Sequence, residues 1–361
     1  MLTRDAEGMR MKLDRVDHLS TELIGLDPRD IRHVFPHPTL VSIKGRNQQP
    51  LFISALLHGN ELTSFRILQR LAARYKNKAP ARSLLIFIGN VDAAAEGVRH
   101  LPHQPDFNRI WAKGESAYHA LTADITAIAR EAAPFASIDI HNNTGANPIY
   151  GCVNALRPAD LQLAASFAPL GVFYLNPPTT QSIAFSHFCP AITIECGKGD
   201  DPIGLEAADR LIENTIALER FSDTPLPDDA LTLYKTVGRM VVDPACSFSF
   251  GAGGTDGADG AAGGADSAGG ADVQFRPDLD KLNFVDLDEN TALARCRPEK
   301  RPIHVLDEHG TDITTEFIHY TDGNAHLTTK ATPSMISHDP DIIRQDCLGY
   351  LMRPLNLDLP K

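Results

Sequence analysis

The sequence predicts an α/β fold: a mixed, mostly parallel sheet with helices on both faces, followed by a smaller, mostly β C-terminal domain. Three observations carry this expectation. Short apolar runs alternate with segments of helical period as far as Phe221, the pattern of parallel strands joined by helical crossovers. Three of those runs lead into a polar side chain suited to chemistry, at His58, His141 and Glu195, and ligands of open α/β sheets gather at the carboxyl ends of strands. Beyond Pro225 the helical period fades and short β-rich pieces separated by turn residues take over.

The elements follow in order. After about 35 mostly polar residues, Thr39-Leu40-Val41-Ser42-Ile43 reads as a strand, and Leu51 to Leu57 as a buried strand ending at His58. From Leu62 to Tyr75 the spacing predicts a helix, with Phe65, Leu68 and Leu71 on one face and Arg66, Arg70 and Arg74 on another. Leu84 to Ile88 is a buried strand. Asn90 to Trp111 is a long irregular stretch containing Pro102 and Pro105. A helix over Ser116–Ala132 leads to the strand that ends at His141. A loop then runs to Pro158, followed by a helix over 159–168, a strand over 171–175, a strand over 192–196 and a helix over 204–221.

Pro225, Pro227 and Asp228-Asp229 mark a linker, so the expected domains are 1–222 and 223–361. The second carries β-rich pieces at 234–242, 281–285, 303–306 and 316–320, with a turn at Asp322-Gly323-Asn324. A Gly/Ala/Asp-rich tract at about 251–272 contains no large apolar residue and is expected to be a disordered surface insertion. Its alternative, a phosphate cradle, lacks a following Lys or helix start.

Composition narrows the function. The 361 residues carry a formal charge of −12 and are 43% hydrophobic, which suits real cores and disfavours nucleic acid or an anionic membrane as partner. No apolar run approaches the roughly 20 residues a membrane span needs. The charged start Met1-Leu2-Thr3-Arg4-Asp5 lacks the apolar core of a secretion signal, and six scattered cysteines contain no Cys-x-x-Cys pair; a reduced cytoplasmic protein is expected. Cys196 is expected to be a small apolar filler, since it points to the face opposite Glu195.

His58 and Glu61 stand three residues apart at a strand-to-helix junction, so two short side chains can converge on one ion. With His141 they make three zinc-type ligands, and Glu195 adds a free carboxylate: the inventory of a catalytic zinc site with one open position. Taken singly, His141 and Glu195 read more readily as strand-end polar groups meeting solvent, and the His58/Glu61 spacing alone is a weak signal; it is the combination that points to a metal site. Asp139 shares a strand face with His141 and either orients that imidazole or makes a local ion pair.

Asp106-Phe107-Asn108-Arg109 completes a set of four motifs in order, with His58-Gly59-Asn60-Glu61, Asp139-Ile140-His141 and Ile194-Glu195. On these the chain resembles the succinylglutamate desuccinylase/aspartoacylase family, related to the zinc carboxypeptidases, over roughly residues 36–220 and into the β-rich tail. The resemblance implies one zinc per chain held by His58, Glu61 and His141, with Glu195 as catalytic carboxylate. It implies that Asn108 and Arg109 grip a substrate carboxylate, and that Arg99 steadies the developing oxyanion. The implied activity is hydrolysis of the amide bond of a small N-acyl amino acid; a homo-oligomer is compatible with it. Two other readings stand beside this one, a metallocarboxypeptidase acting on small peptides and a zinc-binding protein without turnover.

Departures from the family pattern bear on the substrate. No Arg lies between Arg157 and Glu195, where the family's acyl-aspartate and acyl-glutamate enzymes tend to carry one, and His187 is the local basic candidate. Near the place of the family's substrate-contacting tail tyrosine stand Tyr320 and His326. The Asn142-Asn143-Thr144-Gly145 loop also differs from the desuccinylases. These differences argue against a dicarboxylic substrate.

Overall fold

The structure is a computed structural model describing residues 11–199, 201–227, 229–251 and 270–356. Residues 252–269, most of the Gly/Ala/Asp-rich tract, therefore lie outside the described residues. Contacts divide the chain into two units. The first holds the residues up to Asn143, Ile149–Tyr234 and the chain from Leu355; the second holds Thr144–Pro148 and Lys235–Pro354.

The first unit contains β1 (Asp14–Val16), β2 (Thr39–Ile43), β3 (Asn47–Ala55), α1 (Leu62–Tyr75), β4 (Arg82–Ile88), α2 (Val91–Glu96), α3 (Ala117–Ala132), β5 (Ala136–His141), β6 (Tyr150–Val153), α4 (Pro158–Phe167), β7 (Leu170–Phe173), α5 (Gln181–Ser186), β8 (Ala191–Glu195) and α6 (Pro202–Ala217). Its strands run in the order β1-β2-β4-β3-β5-β8-β6-β7. The β2–β4 and β8–β6 pairs are antiparallel and the other pairs parallel.

The alternation of side chains along each strand sorts the core into two faces. Leu51, Ile53 and Ala55 of β3, Ile138 and Ile140 of β5, and Ile192 and Ile194 of β8 share one apolar cluster with Phe65, Leu68 and Leu71 of α1, Leu161 of α4, and Leu211 and Ile212 of α6. Phe52 of β3 and Ala191 of β8 join a second cluster with Leu121, Ile125 and Ala129 of α3 and Phe185 of α5. That second face also carries the polar positions Ser54, Ser137, Asp139, His141, Thr193 and Glu195, all buried. The sheet is thus apolar on one side and polar toward its carboxyl end on the other.

Several elements differ from the sequence expectation. β3 ends at Ala55, so His58 lies in the turn beyond the strand. The stretch after Asn90 opens with α2, because Asn90 caps it by accepting from Ala93 N and Gly97 closes it at φ 68°; the prolines act only after residue 101. β6 falls in the expected loop, a four-residue strand containing a glycine and too short for a periodic signal. α5 likewise escapes notice at six residues. α6 ends at Ala217 instead of residue 221.

The second unit receives most of β9 (Thr232–Val242) and contains β10 (Phe248–Phe250), β11 (Val273–Phe275), β12 (Ala292–Cys296), β13 (Ile303–Leu306), α7 (Thr314–Phe317), β14 (Ile318–Thr321), β15 (Asn324–Leu327), β16 (Thr332–Ser334), α8 (Pro340–Gln345) and β17 (Gly349–Pro354). β10-β11-β12-β15-β14 form a five-stranded sheet. The β14–β15 hairpin turns through Asp322 and Gly323, both at positive φ. The expected strand at 281–285 is absent from the described residues: a 3-10 turn spans Leu279–Leu282, and Phe284 sits at φ 60°, outside any strand conformation.

Candidate active site

The turn after β3 presents the first two candidate ligands. Leu56 turns the chain at φ 54°, an uncommon conformation for a bulky residue. It is fixed from both sides: its N–H donates to Ser64 Oγ at 3.0 Å, and its carbonyl accepts from Asn90 N at 2.7 Å. Gly59 then passes hard against α2, where a Cβ would come within 2.1 Å of the Ala93 carbonyl carbon; only glycine fits. Glu61 occupies the N-cap of α1 without making a side-chain cap bond. Instead its carboxylate is turned to the two histidines, and Asn142 Oδ1 accepts from Thr63 N at 3.0 Å.

His58, Glu61 and His141 come together and are buried, with one ligand atom of each lying within 4.8 Å of the others. Glu61 Oε1 is 2.6 Å from His58 Nδ1, Glu61 Oε2 is 2.7 Å from His141 Nδ1, and the two Nδ1 atoms are 3.2 Å apart. Both imidazoles therefore aim the same nitrogen inward. The opposite nitrogen of each faces an aspartate: His58 Nε2 lies 2.9 Å from Asp106 Oδ1, and His141 Nε2 lies 2.9 Å from Asp139 Oδ2. An aspartate acceptor places the ring proton on Nε2 and leaves Nδ1 with a lone pair for a cation. Asp139 is itself held by Ser54 Oγ, which donates at 2.6 Å. This donor set fits a divalent transition metal, and two imidazoles plus one carboxylate suit zinc.

Electrostatics follow from this packing. Burial alone would raise Glu61, but the two imidazoles outweigh it and hold the carboxyl well below its usual range. For His141, burial pulls the imidazole down, and the facing carboxylates of Asp139 and Glu61 more than offset it, so the net shift is upward. Asp106 is likewise held low against its burial, by His58 and Arg99. Glu195 is different. It is the Cα partner of His141 across the β5–β8 pair, its Oε2 is buried without a hydrogen-bond partner, and burial raises its carboxyl to about 8, with Glu61 and Asp139 adding to the rise.

The predicted arginines and amide sit in the segment after α2. Arg99 donates through Nε and Nη2 to Asp106 Oδ2 at 3.1 and 2.9 Å, and its Nη1 lies 3.8 Å from Glu61 Oε1. Arg109 is half-buried, with Nη1 donating to Asn108 O at 3.1 Å. Asn108 accepts from Gln181 N at 2.9 Å, which directs its Nδ2 to within 3.1 Å of His141 Nε2; its amide is turned to protein groups. His187 is exposed at the C-cap of α5. In the second unit, Tyr320 Oη bonds the main chain of Ile303, and His326 stacks on His319 with ring centroids 5.4 Å apart. Sequence reasoning left Asp106 without a role, although it lies inside a quoted motif, and missed Ser54, whose signal was its strand alternation with Phe52.

A mixed α/β sheet thus carries a metal-competent His-Glu-His group beside Glu195, whose Oε2 is buried without a hydrogen-bond partner among the described residues. Residues 47–222 match the family model of the succinylglutamate desuccinylase/aspartoacylase catalytic domain. Solved structures share the fold. Succinylglutamate desuccinylase from Chromobacterium violaceum aligns with TM-score 0.54 and 18% identity, covering 89% of each chain. Succinylglutamate desuccinylase/aspartoacylase from Rhodobacter sphaeroides aligns with TM-score 0.55 and 12% identity, covering 88% of this chain and 89% of that one. Murine aminoacylase 3 aligns with TM-score 0.53 and 14% identity, covering 86% of this chain and 96% of that one. No curated protein matches the chain by sequence. Among the described residues, no helix is long and apolar enough to cross a membrane.

Proposed function

We propose that the chain is a zinc-dependent amidohydrolase that removes the acyl group from a small N-acyl amino acid. The observation that carries this reading is the convergence of His58 Nδ1, His141 Nδ1 and the Glu61 carboxylate beside Glu195, whose buried Oε2 has no hydrogen-bond partner among the described residues. A bound zinc ion would supply Lewis acidity toward a water and the scissile carbonyl.

The protein groups do the rest. Asp106 and Asp139 keep the Nε2 protons of the two ligand histidines and so hold both Nδ1 lone pairs in place. Glu195 takes the proton of the attacking water and delivers it to the leaving amine nitrogen. Its burial supports this, because a desolvated carboxylate is a stronger base than one in water. Arg99, anchored on Asp106, steadies the oxyanion. Arg109 supplies the planar fork for the substrate carboxylate, beside Asn108, whose Nδ2 lies 3.1 Å from His141 Nε2. Six scattered cysteines without a Cys-x-x-Cys pair support a reducing compartment.

Metal quantification on the purified protein, coupled to amine release across N-acyl amino acids and dipeptides, tests the reading. Zinc near one equivalent with cleavage of N-acyl amino acids is expected. Preference for dipeptides would favour a carboxypeptidase instead, and the absence of bound metal would end the proposal.

A further inference from the structure

Among the described residues, Glu195 Oε2 and Asn143 Nδ2 are both buried with no hydrogen-bond partner; Glu195 pairs with His141 across β5–β8, and Asn143 follows His141 by two residues. The first is an acceptor with a use in the reaction above. The second is a donor that the reaction has not used. Asn143 is 6% exposed. Its main-chain N–H donates to Gly197 O at 2.8 Å, extending the alignment in which His141 stands beside Glu195. Asn143 is thus two residues beyond His141 and faces the residue two beyond Glu195.

The amide is oriented from the neighbouring strand. Tyr150 Oη donates to Asn143 Oδ1 at 3.5 Å, and Tyr150 is the Cα partner of Glu195 across β6–β8. A carbonyl held by Tyr150 turns the NH2 group away from it. Asn142 next door is fully engaged, donating to Thr63 Oγ1, Gly197 O and Lys198 O and accepting from Thr63 N. A buried donor left open beside a fully used one is the kind of vacancy that a ligand acceptor fills. Across β6–β8, Tyr150 pairs with Glu195 and Cys152 with Thr193, and Thr193 pairs in turn with the buried acid Asp139. A substrate carboxylate here would add to the buried acids Glu61 and Asp139 in disfavouring the ionised form of Glu195; an uncharged oxygen would not.

We propose that Asn143 is a specificity-determining residue whose Nδ2 donates a hydrogen bond to an uncharged oxygen on the acyl arm of the substrate, with Tyr150 as the positioning residue for the amide. The inference rests on the deacylase reading and names its substrate class: N-acyl amino acids with a neutral, hydrogen-bond-accepting acyl arm.

The test uses the zinc-loaded, full-length protein and three analogues in which CH2 replaces the scissile N–H. Their acyl arms are equal in length and end in a carboxamide, a carboxylate or a methyl group. Calorimetry should show the carboxamide bound about tenfold more tightly than either other arm, the scale of one buried hydrogen bond. Asn143→Asp, which keeps the shape and removes the donor, should erase that preference, as should Asn143→Ala. Tyr150→Phe should reduce it in part, with zinc content unchanged in all three. Equal affinity of the wild type for carboxamide and methyl arms overturns the proposal, whether all three analogues bind or none does. So does tightest binding of the carboxylate, or a preference that survives Asn143→Asp. If the analogues rank as expected while the corresponding amides are not cleaved, the deacylase reading falls and the assignment of Asn143 stands.

Discussion

Asp139→Asn separates the charge behind His141 from its shape. The native carboxylate is fully buried, accepts from Ser54 Oγ at 2.6 Å and lies 2.9 Å from His141 Nε2. A hydrogen bond to a charged partner contributes roughly 1.5–3 kcal/mol against about 0.5–1.5 for a neutral one. The difference of about 1–1.5 kcal/mol is close to tenfold in an equilibrium constant, and substitutions behind metal-bound histidines typically cost 10–100-fold in affinity. Zinc should therefore bind about 10–100-fold more weakly to the variant, as measured by competition with a chromophoric chelator. The pH dependence carries a sign. Asp139 raises the His141 imidazole, so in the wild type a proton competes with the metal from a higher pH downward. The variant loses that rise and meets proton competition only at lower pH. The affinity deficit should be largest in alkaline buffer and shrink as pH falls. Equal affinities, or a deficit that widens on acidification, would refute the assignment of Asp139 as the partner that seats His141.

Four further outcomes are expected. Glu195→Gln should retain zinc by elemental analysis while kcat falls about 10²–10⁴-fold; full turnover would remove it as the base. Arg109→Lys should raise KM about tenfold with kcat nearly kept, since a single ammonium cannot reproduce the fork; steady-state kinetics read this directly. Gly59→Ala should cost several kcal/mol of stability or prevent folding, because its Cβ would fall 2.1 Å from the Ala93 carbonyl carbon; thermal melting of the purified variant checks it. In the metal-free protein, Glu61 and Asp106 are held low, so they stabilise the fold above the ordinary carboxylate range of about 4 and that contribution disappears as pH falls through their lowered values; acid unfolding of metal-free Glu61→Gln should show a shallower pH dependence.

The alternation of apolar runs and helical periods was readable because buried parallel strands and amphipathic helices write long, regular signals. α1 and β5 are examples: Phe65, Leu68 and Leu71 fall on one face, and Ile138 and Ile140 on the side opposite Asp139 and His141. β6 and α5 were not readable. Four and six residues carry too few periods, and the place of β6 depends on antiparallel pairing with a strand some 40 residues later in the chain. At the site, residue types and strand ends pointed to His58, Glu61, His141 and Glu195. What the sequence could not express is which imidazole nitrogen turns inward, since that depends on Asp106 reaching back 48 residues to His58. Nor could it express that Asn142 is satisfied while Asn143 is left open, a distinction set by Thr63 and Gly197 from two other segments.

The handover at the start of α1 has a thermodynamic consequence. Asn142, one residue after His141, both terminates α1 through Thr63 and ties down the chain after β8 through the Gly197 carbonyl. An uncharged amide thereby sets the separation between the two ligand-bearing segments before any cation arrives. Metal uptake should then resemble docking into a rigid receptor, with little ordering of the chain and a correspondingly small heat-capacity change. A mutation at Asn142 would loosen both histidine-bearing segments at once, although its side chain touches neither imidazole.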